Sequence, residues 1–322
     1  MIKVSVVIPV YNASKTLDRC IDSLLTQGDS IQYIFVNDCS TDDSLKVIEC
    51  RVKEIENKNC HVSIISNKKN SGVAYSRNIG LDLCMGEYVY WVDADDYLER
   101  NSISMMYDTA KEKDLDVVGC NFYLTFNSRE RAMSIPKVSS GLEAFESICY
   151  GQMKWNLWLF MTRKSIIDNN NIRFIDNANM GEDMMFISRV FINSKNIFVV
   201  SNFLYHYIRN NSDAMTQNYS MDNIKQVDKN LDILILNTPL NMRYLINFLK
   251  LNLKLPLLIS ENRDNYRIWR DRYSESNTFI MKNTRQSLRM RLIQWFAYKK
   301  MNSLVYIYNK LFIKFIYSVI YK

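Results

Sequence analysis

Asp93-Ala94-Asp95 sets two carboxylates two residues apart, with a third acid at Asp96. On a strand such positions share a face, and in a turn just after a strand both can point the same way. Hard oxygen donors with no His or Cys beside them suit Mg²⁺ or Mn²⁺, which one or two carboxylates hold together with a ligand's phosphates. An ordinary acid-rich turn capping the next helix has the same composition. Three more polar clusters occur at Tyr11-Asn12, at Asp38 and at residues 67–72, and a second acidic pair stands at Glu182-Asp183. Arg77 is a fixed cation that suits either an anionic ligand or a surface ion pair.

The elements that must position these residues alternate cleanly. Val4–Val10, Ile31–Asn37, Val62–Ser66 and Tyr88–Val92 read as buried strands. Between them, helices are expected from a Ser14 cap to about Gln27, from the Asp38–Ser44 turn to Ile55, and over Ala74–Met85. This order predicts an α/β fold with a doubly wound, mostly parallel sheet. Every polar cluster follows the carboxyl end of a strand, where such sheets bind ligands. Further on, Leu115–Tyr123, Ile197–Val200 and Phe203–Tyr207 read as strands, and Gly141–Tyr150 and Ile187–Phe191 as helices. From about 222 the chain reads as helical. The expected division is a catalytic part, 1–220, made of a nucleotide half (1–99) and an acceptor half (100–220), then a helical extension, 221–322.

Composition removes several classes. Seven scattered Cys with no CxxC pair, and only two His, argue against disulfide, zinc and His-rich metal frameworks and for a reducing cytoplasm. No run of 18 uncharged apolar residues is present, so a membrane-spanning helix is not expected. The +7 net charge is confined to the tail: residues 282–322 hold nine Lys or Arg and no acid, and the rest is balanced at −2. In Ser303–Tyr321 the polar residues Ser303, Lys310, Lys314 and Ser318 fall on one helical face of an otherwise apolar segment. Such a segment suits the surface of an anionic membrane, at about 1 kcal/mol per cation. The alternatives are a helix docked on the body with a solvated Lys face, or a homodimer contact. No nucleic-acid motif accompanies the charge, so nucleic acid is not an expected partner.

Four motifs stand in order: Val4-Ser-Val-Val-Ile-Pro-Val-Tyr-Asn12, Val36-Asn-Asp-Cys-Ser-Thr-Asp42, Asn70-Ser-Gly-Val-Ala-Tyr-Ser-Arg-Asn-Ile-Gly80 and Gly86-Glu-Tyr-Val-Tyr-Trp-Val-Asp-Ala-Asp-Asp96. Together they resemble family 2 glycosyltransferases of the GT-A fold. The likeness is dense over 3–99, resumes at 158–191 and 203–212, and stops by about 220. It implies inverting transfer of a sugar from a nucleoside-diphosphate donor, a UDP-sugar in the usual case, to a glycan or lipid-linked acceptor. By the same likeness Pro9 and Tyr11 line the nucleobase, Asp38 bonds the base, Arg77 faces the diphosphate, Asp93 lies by the ribose, and Asp95, with Asp93, holds the metal. Gly181-Glu182-Asp183 matches the acidic motif near the acceptor, with Asp183 as general base. Arg209 and Ser212 match residues that contact the diphosphate.

Each assignment has a plainer counterpart. Asp38 or Asp42 can cap the second helix. Gly72 serves its turn. Glu182 and Asp183 suit the first turn of a helix, whose dipole would lower their pKa. His206 suits packing between Tyr205 and Tyr207 better than a metal shell. Trp158 reads as core, and Trp155 suits either core or stacking on a sugar. The two other functions considered are a sugar nucleotidyltransferase, which would need a Gly-rich loop where Val10–Ser14 has none, and a membrane-bound scaffold, which the intact carboxylates argue against. The expected setting is the cytoplasmic face of the cell membrane, in capsule or lipopolysaccharide assembly.

Overall fold

A computed structural model describes residues 1–126, 129–209, 220–259 and 262–319, with side chains to 311 in the last helix. The chain divides into two compact units: Met1–Phe145 with Trp155–Asn237, and Glu146–Lys154 with Thr238–Lys322. The sequence reading puts the division near 220; the first unit runs on to Asn237.

The first unit opens with β1 (Val4–Val10), α1 (Leu17–Leu24), β2 (Ile31–Asn37), α2 (Ser44–Glu56), β3 (His61–Ser66), α3 (Val73–Asp82) and β4 (Tyr88–Trp91). These strands run parallel in the order β3-β2-β1-β4. Their β-branched and aromatic side chains are buried on both faces of β1, β2 and β4, the burial that a helix-covered parallel sheet requires. The chain steps outward from β1 to β3 and then crosses back to β4. The switch point therefore lies between β1 and β4, and their carboxyl ends carry Tyr11-Asn12 and the Asp93–Asp96 turn.

The sheet continues through β5 (Tyr97–Leu98), α4 (Ser102–Glu112), β6 (Val117–Phe126), β7 (Arg129–Met133), α5 (Gly141–Cys149), β8 (Phe160–Arg163), α6 (Lys164–Asn169), α7 (Glu182–Ile192), β9 (Ile197–Ile208) and α8 (Met221–Asn237). The full order is β3-β2-β1-β4-β8-β6-β9-β5, with β7 beside β6, a mixed sheet of nine strands among the described residues. Antiparallel β8 joins β4 to β6, and β9 runs parallel to β6. The two strands expected at 197–200 and 203–207 are one. The β6–β9 ladder shifts register around Asn121, whose side-chain amide donates to Ser201 O at 3.0 Å, and so it carries the polar Ser201-Asn202 step without breaking.

The helix starts differ from those that the sequence predicts. α1 begins at Leu17 behind Thr16, and Ser14 is not its cap: the Ser14 amide instead donates to Asp42 Oδ2 at 3.0 Å. The residue before α2 is Asp43, which makes no side-chain cap bond; Asp42 Oδ1 accepts the Ser44 amide at 3.0 Å.

The second unit contains α9 (Leu245–Leu253), α10 (Leu255–Leu258), α11 (Asp264–Asp271), α12 (Leu288–Tyr298) and α13 (Asn302–Val319). The first turns of α13 are docked within it. Val305 and Asn309, one turn apart, are buried, and Asn309 Nδ2 donates to Leu258 O at 2.8 Å and to the Tyr266 hydroxyl at 3.1 Å. Leu304, Ile307 and Leu311 lie exposed, as do Leu288 and Leu292 of α12. Ser303 and Lys310 of the expected polar stripe are exposed too; the side chains of Lys314 and Ser318 lie outside the described part. Among the described residues no helix is long and apolar enough to cross a membrane.

Candidate active site

The carboxyl edge of β1, β2 and β4 gathers the polar clusters. Tyr11 is half exposed just past β1 (50%), and Pro9 sits at intermediate burial within it. Asn12 adopts a left-handed backbone (φ 49°), and its Oδ1 accepts the Thr41 amide at 2.8 Å, tying the β1 turn to the β2 turn.

Asp38 is 3% exposed and does not cap α2. Its Oδ1 accepts the Ser71 amide at 2.9 Å and Asn67 Nδ2 at 2.8 Å, and its Oδ2 accepts the Gly72 amide at 2.7 Å. One carboxylate thus shapes the whole 67–72 loop. Gly72 has φ 87°, and an added Cβ would fall 2.2 Å from Asn179 Nδ2, so only glycine suits the position. Asn179 in turn accepts the Ala74 amide at 3.0 Å, covering a free N–H at the start of α3. The sequence marks Asn67 only as part of the 67–72 cluster and does not mark Asn179, whose partner Ala74 is remote in the chain.

Arg77 is 4% exposed, so the surface ion pair is excluded. Its Nη1 donates to Glu182 Oε1 at 2.9 Å and to Asp183 Oδ1 at 2.6 Å, and its Nη2 reaches Asp93 Oδ1 at 3.3 Å. The guanidinium also lies 5.6 Å from the Phe174 ring. Burial opposes its charge, but Asp183, Asp93 and Glu182 outweigh burial and hold its pKa above the ordinary value. One cation therefore binds the β4 turn to the α7 start.

The three acids differ. Glu182 and Asp183 occupy the first turn of α7, behind Gly181 at φ 76°. The helix dipole by itself favours the charged form of an acid at this position. For Glu182 burial wins: desolvation first, then the charge of Asp183, push it up to about 8 against the pull of Arg77. Asp183 is the more open, at 18% of its side-chain surface against 10%. Asp93 keeps 31% of its side-chain surface open, yet the protein around it, and the charges of Asp95 and Asp183, raise it to about 6 although Arg77 pulls the other way.

This donor set fits a divalent cation. Asp93 and Asp95 offer hard oxygens, and a cation would offset the desolvation that chiefly raises Asp93 as well as the smaller push from Asp95 and Asp183. Among the described residues no three His, Cys, Asp or Glu side chains converge into a closed metal cage, so the protein would supply two carboxylates at most and leave the rest to phosphate and water.

His206 lies elsewhere. It is 4% exposed, stacks on Tyr97 at 4.1 Å, and its Nε2 and Nδ1 face Glu99 Oε1 at 2.8 Å and Glu130 Oε1 at 2.9 Å. Both ring nitrogens are taken, which leaves neither for a metal. Trp158 is core, stacked on Tyr205 at 4.3 Å; Trp155 is half-buried. The Arg209 amide donates to Thr125 O at 3.0 Å and its residue is exposed, whereas Ser212 lies outside the described residues.

Comparison with known proteins agrees with this architecture. The model of glycosyl transferase family 2 matches residues 5–191. A Bacillus subtilis relative, the uncharacterized glycosyltransferase EpsJ, is 28% identical over 226 residues, 66% of this chain and 63% of its own length. The cholesterol galactosyltransferase of Borreliella burgdorferi is 31% identical over 218 residues, 63% of this chain and 59% of its own. The chain thus spans under two thirds of the length of both relatives. The crystal structure of S. aureus TarS 1-349 with UDP-GlcNAc superposes with a TM-score of 0.69 over 94% of this chain and 89% of that one, at 22% identity. The last likeness is one of fold.

Proposed function

Because the chain belongs to glycosyl transferase family 2, we propose that it is an enzyme that moves a sugar from a nucleoside-diphosphate donor, a UDP-sugar, to a hydroxyl of a glycan or lipid-linked acceptor. The observation that carries this reading is the clamp in which Arg77 joins Asp93, on the donor side, to Glu182 and Asp183. Tyr11 and Pro9 would pack on the base, and Asp38 would hold both the base and the loop that it shapes. We assign Asp183 as general base: its carboxylate takes the acceptor hydroxyl's proton as the new C–O bond forms and the sugar–phosphate bond breaks in one inverting displacement. Arg77 holds Asp183 in place. Glu182, raised to about 8 by burial and the charge of Asp183, keeps its proton near neutrality. Asp95 and Asp93 would hold Mg²⁺ or Mn²⁺, which when bound offsets the charge of the leaving diphosphate. Arg209 would meet the same diphosphate.

The test is UDP release from a panel of UDP-sugars with Mn²⁺ or Mg²⁺, alongside nucleotide-dependent thermal protection. Asp183→Ala and Asp95→Ala should abolish transfer; unchanged transfer in either would sink the mechanism. No protection by any nucleoside diphosphate would sink the donor class.

The tail supports a peripheral position on the cytoplasmic side of an anionic membrane, in cell-surface polysaccharide assembly. Exposed Leu288, Leu292, Leu304, Ile307 and Leu311 sit among exposed Arg285, Arg289, Lys299, Lys300 and Lys310. Sedimentation with phosphatidylglycerol vesicles should pull down the full chain and leave a 285–322 deletion in solution. Equal binding by both would refute this, and a concentration-dependent dimer lost on the same deletion would favour self-association.

A further inference from the structure

Asp96, the third acid of the β4 turn, has no part in the roles assigned so far. It is fully buried, and its partners are a phenol and a backbone amide: Oδ2 accepts the Tyr205 hydroxyl at 2.8 Å and Oδ1 accepts the Ile208 amide at 2.8 Å. The Tyr205 oxygen also accepts the Asp93 amide at 3.1 Å. Tyr205 is itself fully buried, its ring stacked on Trp158 at an interplanar angle of 9°. Two short relays therefore leave one carboxylate. One runs through Tyr205 to the backbone of Asp93; the other runs to Ile208, the residue before Arg209. On the opposite face of β9, His206 is fixed between Glu99 and Glu130, so the end of this strand is held from both sides.

A buried carboxylate is costly unless its hydrogen bonds are well made, and hydrophobic packing of the same volume would have served stability as well. The bonds of Asp96 all go to the two segments that carry donor-side groups. We propose that Asp96 is a positioning residue that sets Arg209 in register with the Asp93–Asp95 turn, so that the cation and the carboxylates of the donor site meet one diphosphate together. This rests on the nucleoside-diphosphate reading above. It gives the third acid a task distinct from metal binding.

A double-mutant cycle tests it, with the full chain and UDP plus Mn²⁺ as the probe and calorimetry as the readout. Tyr205→Phe cuts the relay to Asp93 at the phenol, keeps the ring packed and leaves the Ile208 contact in place; Asp96→Asn, which alters the carboxylate that both relays leave, is the second variant. Arg209→Ala should weaken UDP binding about tenfold in the parent and about threefold or less in either variant, because a mispositioned arginine has less to lose. A purely structural Asp96 would lower melting temperature and leave the Arg209→Ala loss the same in all backgrounds. Such additivity, including the case in which Arg209→Ala is silent alone, overturns the tether while UDP binding by the parent still stands. Failure of the parent to bind UDP removes the donor reading, and the tether with it.

Discussion

Arg77 and Lys254 are both interior cations, and their surroundings differ in kind. Arg77, at the carboxyl edge of the sheet, faces three carboxylates from two elements. Lys254, in the helical unit, is fully buried and donates to Arg272 O at 2.8 Å, Tyr273 O at 3.4 Å and Asn277 Oδ1 at 2.6 Å, with Trp269 4.5 Å beneath it. All its partners are neutral. Desolvation accordingly brings Lys254 down to about 7, whereas the acids around Arg77 more than cancel its own desolvation. A cation surrounded by excess negative charge is apparatus for handling charge. A cation pegged by carbonyls fastens one loop to a helix end.

If the contrast holds, the largest effect belongs to the acids that Arg77 organises. Asp183→Asn should lower sugar transfer by about 10²- to 10⁴-fold with little change in melting temperature. A comparable rate would make the clamp structural, like Lys254. Next comes the clamp. Arg77→Met leaves three acids without their cation and should destabilise by about 3–5 kcal/mol in urea unfolding. Lys254→Met strands only neutral acceptors, for about 1–3 kcal/mol. Equal losses would erase the distinction.

The pH dependence is smaller, and the two groups tilt it in opposite directions. Glu182 has a folded pKa of about 8 against an ordinary 4.5. Across that window the folded chain keeps a proton that the unfolded chain has released, so stability falls as pH rises. Lys254 is lowered to about 7 from 10.5, and there the unfolded chain keeps the extra proton, so stability rises with pH. Melting temperatures from pH 5 to 10 should therefore show Glu182→Gln removing a decline and Lys254→Met removing a rise. A Glu182→Gln profile parallel to the parent's would refute the neutral Glu182.

What the sequence revealed follows from how local each signal was. The β1–β4 half was legible because β-branched runs are buried on both faces and polar turns punctuate them. β7 was not: Arg129-Glu130-Arg131 is an exposed edge with no apolar alternation. β9 was read as two strands because Ser201-Asn202 looks like a break, and only its pairing with β6 bridges it. Asp38, Arg77, Asp93 and Asp183 were visible as motif residues. That one arginine binds Asp93, Glu182 and Asp183, and that Asp96 reaches β9, depends on partners more than a hundred residues away in four of the contacts. Burial overruling the helix dipole at Glu182 is a tertiary effect of the same kind.

The Arg77 clamp also has a consequence for assembly. Its contacts to Glu182 and Asp183 span 105 and 106 residues of chain. Closing a loop of that length costs about 4 kcal/mol plus a constant before the charges meet. The parallel strands can form from the first ninety residues, but the site cannot exist until α7 has been made and docked. During synthesis the nascent chain therefore carries Arg77 beside Asp93 but without its other two acids until residue 183 has left the ribosome. Clamp variants should then hasten unfolding and leave refolding nearly unaltered, the signature of contacts made late.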